Sequence, residues 1–111
     1  MPEPPTAMFT GNDEMAVGVI LAASQLGIRI PDELSIMGFD DAPISRQIYP
    51  HLTTVYQPIA ELAQSSIDML ISHIGNRNTQ RQSVEIPTHL VIRNSCTVPE
   101  LRGPAVRDRQ R

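Results

Sequence analysis

The chain contains no lysine, no tryptophan and a single cysteine, and each of these shortages removes a class of function. With only Cys96, no internal disulfide and no cysteine-based metal site can be built. Two Phe and two Tyr are the whole aromatic complement, so the core has to be assembled from Ile, Leu, Val and Met. Without lysine, and with Gly11 isolated, there is no phosphate-cradling glycine loop. No apolar run approaches the roughly 18–20 residues of a membrane span. The opening Met1-Pro2-Glu3-Pro4-Pro5 lacks the basic and apolar regions of a secretory signal, so the expected location is cytoplasmic. The three histidines, His51, His73 and His89, fall on different segments without metal-ligand spacing, and no metal or cofactor is expected. No serine sits in a Gly-x-Ser-x-Gly setting. The sequence supplies no catalytic constellation, so binding, not catalysis, is the expected class.

What is present is an ordinary globular composition, 41% hydrophobic and 19% charged, with a formal charge of −3 that disfavours strong nucleic-acid binding by the domain body. All nine basic residues are arginines. Four of them, Arg102, Arg107, Arg109 and Arg111, cluster within residues 98–111, a stretch that reads as a disordered tail. Residues 1–97 read as part of one domain. The 111 residues are few enough that an isolated fold would be marginal.

Apolar periodicity alternates between strand and helix. Thr6–Thr10 reads as a short buried strand. Asn12 and Asp13 can cap a helix to about Leu26, its apolar face being Met15, Ala16, Val19, Ile20, Ala23 and Leu26. Gly27 supplies the left-handed stop. Leu34–Phe39 is a second strand, Pro43–Tyr49 a helical turn, and Leu52–Tyr56 a third strand. A second long helix runs from Pro58 to Ile74, with Ile59, Leu62, Ala63, Ile67, Leu70, Ile71 and Ile74 along one face. Residues 75–83 read as a surface loop, and Ile86–Arg93 as a last strand. This order predicts an α/β fold with a largely parallel sheet and flanking helices.

In such sheets ligands bind beyond the carboxyl ends of the strands. Asn12, Asp40-Asp41 and Gln57 all fall there. A strand-end aspartate accepts hydrogen bonds from ligand hydroxyls, each worth about 1.5–3 kcal/mol. The alternative for Asn12 is a helix cap, and the two roles can coexist. For Asp41 the alternative is a cap of the short helix after Pro43. Adjacent aspartates on extended backbone point apart, which makes them a poor acid/base pair.

Taken together, several blocks resemble one family. The run from Pro5 to Gly18 with its Asn12-Asp13 pair, the run from Gly27 to Asp41 ending Gly-Phe-Asp-Asp, the string Pro50-His-Leu-Thr-Thr-Val-Tyr-Gln-Pro58, and Leu90-Val-Ile-Arg-Asn-Ser95 are similar to LacI/GalR transcription regulators, in the right order over about residues 5–97. The resemblance implies part of a type I periplasmic-binding-protein-like sensor domain, lying after a helix-turn-helix module and the first half of the sensor. It implies Asn12, Asp40 and Gln57 as effector contacts, and Val17 and Tyr49 at a homodimer interface. The effector would be a sugar, sugar phosphate, nucleoside or purine, and operator DNA would be reached only through the helix-turn-helix. Ala63 departs from the glycine usual at its position. A transporter's sugar-binding protein and a truncated dimerisation fragment are the alternatives.

The resemblance also implies that the helix from Pro58 to Ile74 packs in the other subdomain. Leaving five large aliphatics of that face exposed would forgo roughly 8–15 kcal/mol, at about 1.5–3 each. A whole domain has about 5–15 kcal/mol of net stability. The chain alone is therefore expected to be unstable, molten or self-associating, and to bind neither DNA nor effector usefully.

Overall fold

The computed structural model describes residues 3–75 and 82–99. The elements, in chain order, are β1 (Ala7–Phe9), α1 (Asp13–Gln25), β2 (Ser35–Met37), α2 (Ile44–Gln47), β3 (Thr54–Tyr56), α3 (Ile59–Gly75) and β4 (His89–Val91). The basic terminal cluster and residues 76–81 of the expected loop lie outside the described residues.

β1 and β2 pair in parallel, with Met8 opposite Ile36, and α1 is the crossover between them. Parallel bridges Met37–Thr53 and Asp40–Tyr56 then set β3 beside β2. The amides of Gly38 and Asp40 donate to the carbonyls of Thr53 and Val55, both at 2.9 Å. β4 pairs with β3 in the antiparallel sense, Val55 opposite Leu90. A parallel pair, β1-β2, and an antiparallel pair, β3-β4, are thus joined by two isolated parallel bridges.

α1 begins where expected because the Asn12 side chain, on extended backbone, accepts the Met15 amide at 2.8 Å. It ends before Gly27, whose φ of 71° is the left-handed turn that glycine adopts without a Cβ penalty. The core is aliphatic: Ala16 and Ile20 of α1 pack on Leu34, Ile36 and Leu52, with Val19, Ile28, Ile30 and Ile48 around them.

The structure corrects several details. β1 is not buried: Met8 is 38% and Phe9 64% exposed, and among the described residues β1 pairs with β2 alone. The buried stripe of α1 is Ala16, Ile20 and Ala23, while Met15 and Leu26 stand in solvent. The last strand is three residues long, shorter than Ile86–Arg93. α3 buries no side chain at all; Ile59, Ile67, Leu70, Ile71 and Ile74 are 53–75% exposed.

Candidate functional site

The carboxyl ends of β2 and β3 meet in a turn formed by Asp40, Asp41 and Ala42. Asp40 and Asp41 have φ of 118° and 57°, two successive non-glycine residues in the left-handed half of backbone space. Each such residue costs on the order of 1–3 kcal/mol and persists only where its surroundings hold it. The turn also bends the chain enough to aim the two carboxylates at different partners.

Asp40 is half-buried, and its Oδ1 accepts the Gln57 side-chain amide at 3.0 Å. The backbones join as well, the Gln57 amide donating to the Asp40 carbonyl at 3.5 Å. Two of the three residues expected to contact a ligand are therefore in direct contact, across 17 positions of sequence. Asn12 lies at the same edge, since the next residue, Asp13, donates its amide to the Phe39 carbonyl at 3.1 Å. Its own side chain is engaged in capping α1.

Asp41 does not cap α2, whose N-cap residue is Pro43 and which has no side-chain cap. Its Oδ1 instead accepts Arg93 Nη2 at 2.6 Å and the Ser45 hydroxyl at 3.1 Å. Arg46 approaches the other oxygen at 3.7 Å. Arg93 also donates through Nη1 to the Ser45 hydroxyl and the Leu52 carbonyl, each at 2.9 Å. Burial by itself raises the Asp41 pKa. The Arg93 hydrogen bond and charge, the Ser45 hydroxyl and the Arg46 charge outweigh burial and hold the carboxyl below its ordinary value. Asp41 is thus a structural anion that ties the turn to the segment after β4.

That segment is held by backbone bonds, the Asn94 amide donating to the His51 carbonyl at 2.9 Å, and by side chains as well. Fully buried Ser95 takes the Thr53 amide on its Oγ at 2.8 Å and donates to the Ile36 carbonyl. The Ile36 amide in turn donates to the Ser95 carbonyl at 2.9 Å. The Arg-x-Ser pattern therefore has a physical content: both side chains add bonds to the neighbouring strands and turn where β4 has ended.

In the sequence Asp13 reads only as part of a capping pair. In the fold it points inward and is 1% exposed. Its Oδ1 accepts the Thr54 hydroxyl at 2.6 Å, and its Oδ2 accepts the Ala42 amide at 2.7 Å. Gly38 makes room for it, since a Cβ there would land on the Asp13 carboxylate and crowd Leu52. An acid in a helix's first turn ordinarily reads as complementing the helix dipole. The signal that could have found it is the β-branched Leu52–Tyr56 strand carrying two threonines, whose buried hydroxyls need partners.

Val17 is half-buried on α1, and Tyr49 is 85% exposed just after α2, the short helix that packs against α1. Among the described residues no helix is long and apolar enough to cross a membrane, and no three metal-ligating side chains cluster.

Residues 1–96 match the model of the periplasmic binding protein-like domain family. The HTH-type transcriptional repressor PurR of Proteus mirabilis is 44% identical over 91 residues, 82% of this chain and 27% of the repressor. Among solved structures, a LacI family transcriptional regulator from Enterococcus faecium with bound ribose superposes with a TM-score of 0.79 at 33% identity, covering 86% of this chain and 35% of that one. A LacI-type regulator from Bacillus cereus subsp. cytotoxis gives 0.85 at 30% identity, covering 87% and 34%. The chain spans about a quarter of the length of the curated relatives it matches, 27% for the Proteus repressor. The motif blocks, the parallel strand-end turn and the aliphatic α/β core thus share one explanation: the chain belongs to the periplasmic binding protein-like domain family, and it is similar to one part of LacI/GalR-type transcription regulators.

Proposed function

We propose that this chain is the ligand-sensing and dimerisation portion of a cytoplasmic LacI/GalR-type regulator that binds a sugar-like effector and thereby alters operator affinity. The observation that carries the reading is the Asp40–Gln57 hydrogen bond at the carboxyl edge of β2 and β3. It uses one carboxylate oxygen and fixes the direction of the acid. A fixed, charged acceptor discriminates strongly between ligands that offer a hydroxyl there and ligands that do not, because an unmatched polar group in a closed site loses its water without replacement. The three described arginines, Arg29, Arg46 and Arg93, all face carboxylates of this chain, so the site favours hydroxyl donors over anions. The ribose held by the Enterococcus neighbour is a ligand of that chemistry. Exposed Tyr49 and half-buried Val17 supply the homodimer contact in this reading.

Calorimetry on the complete regulator tests it, with D-ribose, ribose 5-phosphate and a purine base as probes. Binding of a neutral hydroxylated probe is expected, weakened about 10- to 150-fold by Asp40→Ala. Gel shift with operator DNA should then change on adding the same probe. Unaltered binding by the Asp40→Ala protein would remove Asp40 from the site. An in-frame signal peptide upstream of Met1 would transfer the reading to a transporter's binding protein.

A further inference from the structure

Asp13 is a buried carboxylate that bonds to neither Asp40 nor Gln57, yet it sits at the centre of the bonds that hold the turn after β2. Its Oδ2 holds the Ala42 amide at 2.7 Å, two residues beyond Asp40. Its Oδ1 takes the Thr54 hydroxyl at 2.6 Å, and the same hydroxyl oxygen accepts the Asp41 amide at 3.4 Å. Its backbone amide holds the Phe39 carbonyl at 3.1 Å, on the other side of Asp40. One residue at the start of α1 therefore grips the chain before and after Asp40, and grips β3 as well. The turn it grips is the one with left-handed backbone at Asp40 and Asp41. Such a conformation relaxes when its hydrogen bonds are removed. The close approach permitted by Gly38 shows how little freedom the carboxylate has.

We propose that Asp13 is a positioning residue for effector binding: by bridging α1, the 40–42 turn and β3, it sets the direction in which Asp40 presents its carboxylate. This rests on the reading of Asp40 as an effector contact. It also makes α1 mechanically continuous with the site. The Asn12-Asp13 pair then divides its labour, Asn12 starting the helix and Asp13 tying that helix to the turn.

Two measurements on the complete regulator decide the proposal. In hydrogen exchange, Asp13→Ala should deprotect the peptide covering residues 39–45 while the interior of α1, around Ile20, keeps its protection. Unchanged exchange over 39–45, or loss of protection throughout α1, overturns the proposal. Asp13→Asn should restore protection, because its amide oxygen can accept from Ala42 and the Thr54 hydroxyl can take a bond from its amide group.

In D-ribose calorimetry, Asp13→Ala should weaken binding about 10-fold or more, and the Asp13→Ala/Asp40→Ala pair should bind no worse than Asp40→Ala alone. Additive losses would mean that Asp13 acts on general stability and would overturn it. A wild-type protein that binds none of the probes would sink the effector reading, and the exchange experiment would still determine whether Asp13 sets the turn. Should Asp13→Ala fail to fold, Thr54→Val, which keeps the shape and removes the hydroxyl that Asp13 and Asp41 share, replaces it with the same expected outcomes.

Discussion

At Asp41 burial and charge act in opposite directions, and charge wins. Burial raises its pKa, while Arg93, Ser45 and Arg46 together bring it below the ordinary value of 3.8. A carboxyl lowered on folding contributes stability that is complete above its unfolded pKa and disappears as pH falls through the folded value. Acid titration of the complete regulator should accordingly show a loss of melting temperature below about pH 4, and Asp41→Asn should flatten that part of the curve. The partner matters more than the pH. The Arg93 side chain is 15% exposed and that of Asp41 10%, so removing Arg93 strands a carboxylate that water scarcely reaches. Arg93→Ala should destabilise the domain by about 3 kcal/mol in a denaturant melt. Arg93→Lys should recover only part of this, since an ammonium cannot span Asp41, Ser45 and the Leu52 carbonyl at once. Gly38→Ala should cost about 1–3 kcal/mol, because its Cβ collides with the Asp13 carboxylate, which is buried and cannot retreat to solvent.

At the scale of elements, α1 and α3 carry similar apolar sequences and meet opposite fates. α1 lies across β2 and buries Ala16, Ile20 and Ala23. α3, 17 residues long and with apolar residues at helical spacing, buries none. Periodicity identifies both as amphipathic helices, because a 3.6-residue repeat is a property of the chain itself. What covers a stripe is not. Replacing Ile67, Leu70 and Ile71 by Gln should leave the core of Ile20, Ile36 and Leu52 intact and raise the solubility of the isolated chain. A large drop in its melting temperature would show that α3 folds back on the core after all. The strands are legible in the same way: Leu34–Phe39 and Leu52–Tyr56 are apolar runs, and β2 and β3 form within them. The last strand is shorter than its apolar run, and beyond it Arg93 and Ser95 direct side-chain bonds to the turn and to Ile36, a choice no local pattern reveals.

For the whole molecule, the consequence of a bare α3 is a chain that lacks a complete surface. Its five exposed aliphatics stand for roughly 8–15 kcal/mol of unrealised burial, comparable to the roughly 5–15 kcal/mol by which a domain is stable. The isolated 111-residue chain should therefore melt broadly, bind a hydrophobic dye, and sediment as a concentration-dependent mixture. A sharp, reversible, concentration-independent melt of a monomer would contradict this.

By itself the sequence determined the alternation of strands and helices, the caps at Asn12 and Gly27, and the placing of Asn12, Asp40 and Gln57 at one sheet edge. These follow from local spacing and from the rule that parallel strands end at a common side. The tertiary structure alone decided which polar groups touch. It joined Asp40 to Gln57, gave Asp41 to Arg93 instead of to a helix cap, and turned Asp13 inward onto Thr54 and Ala42. The reason is that a buried polar group must find a partner wherever the fold brings one, and those partners lie 17 to 52 residues away along the chain.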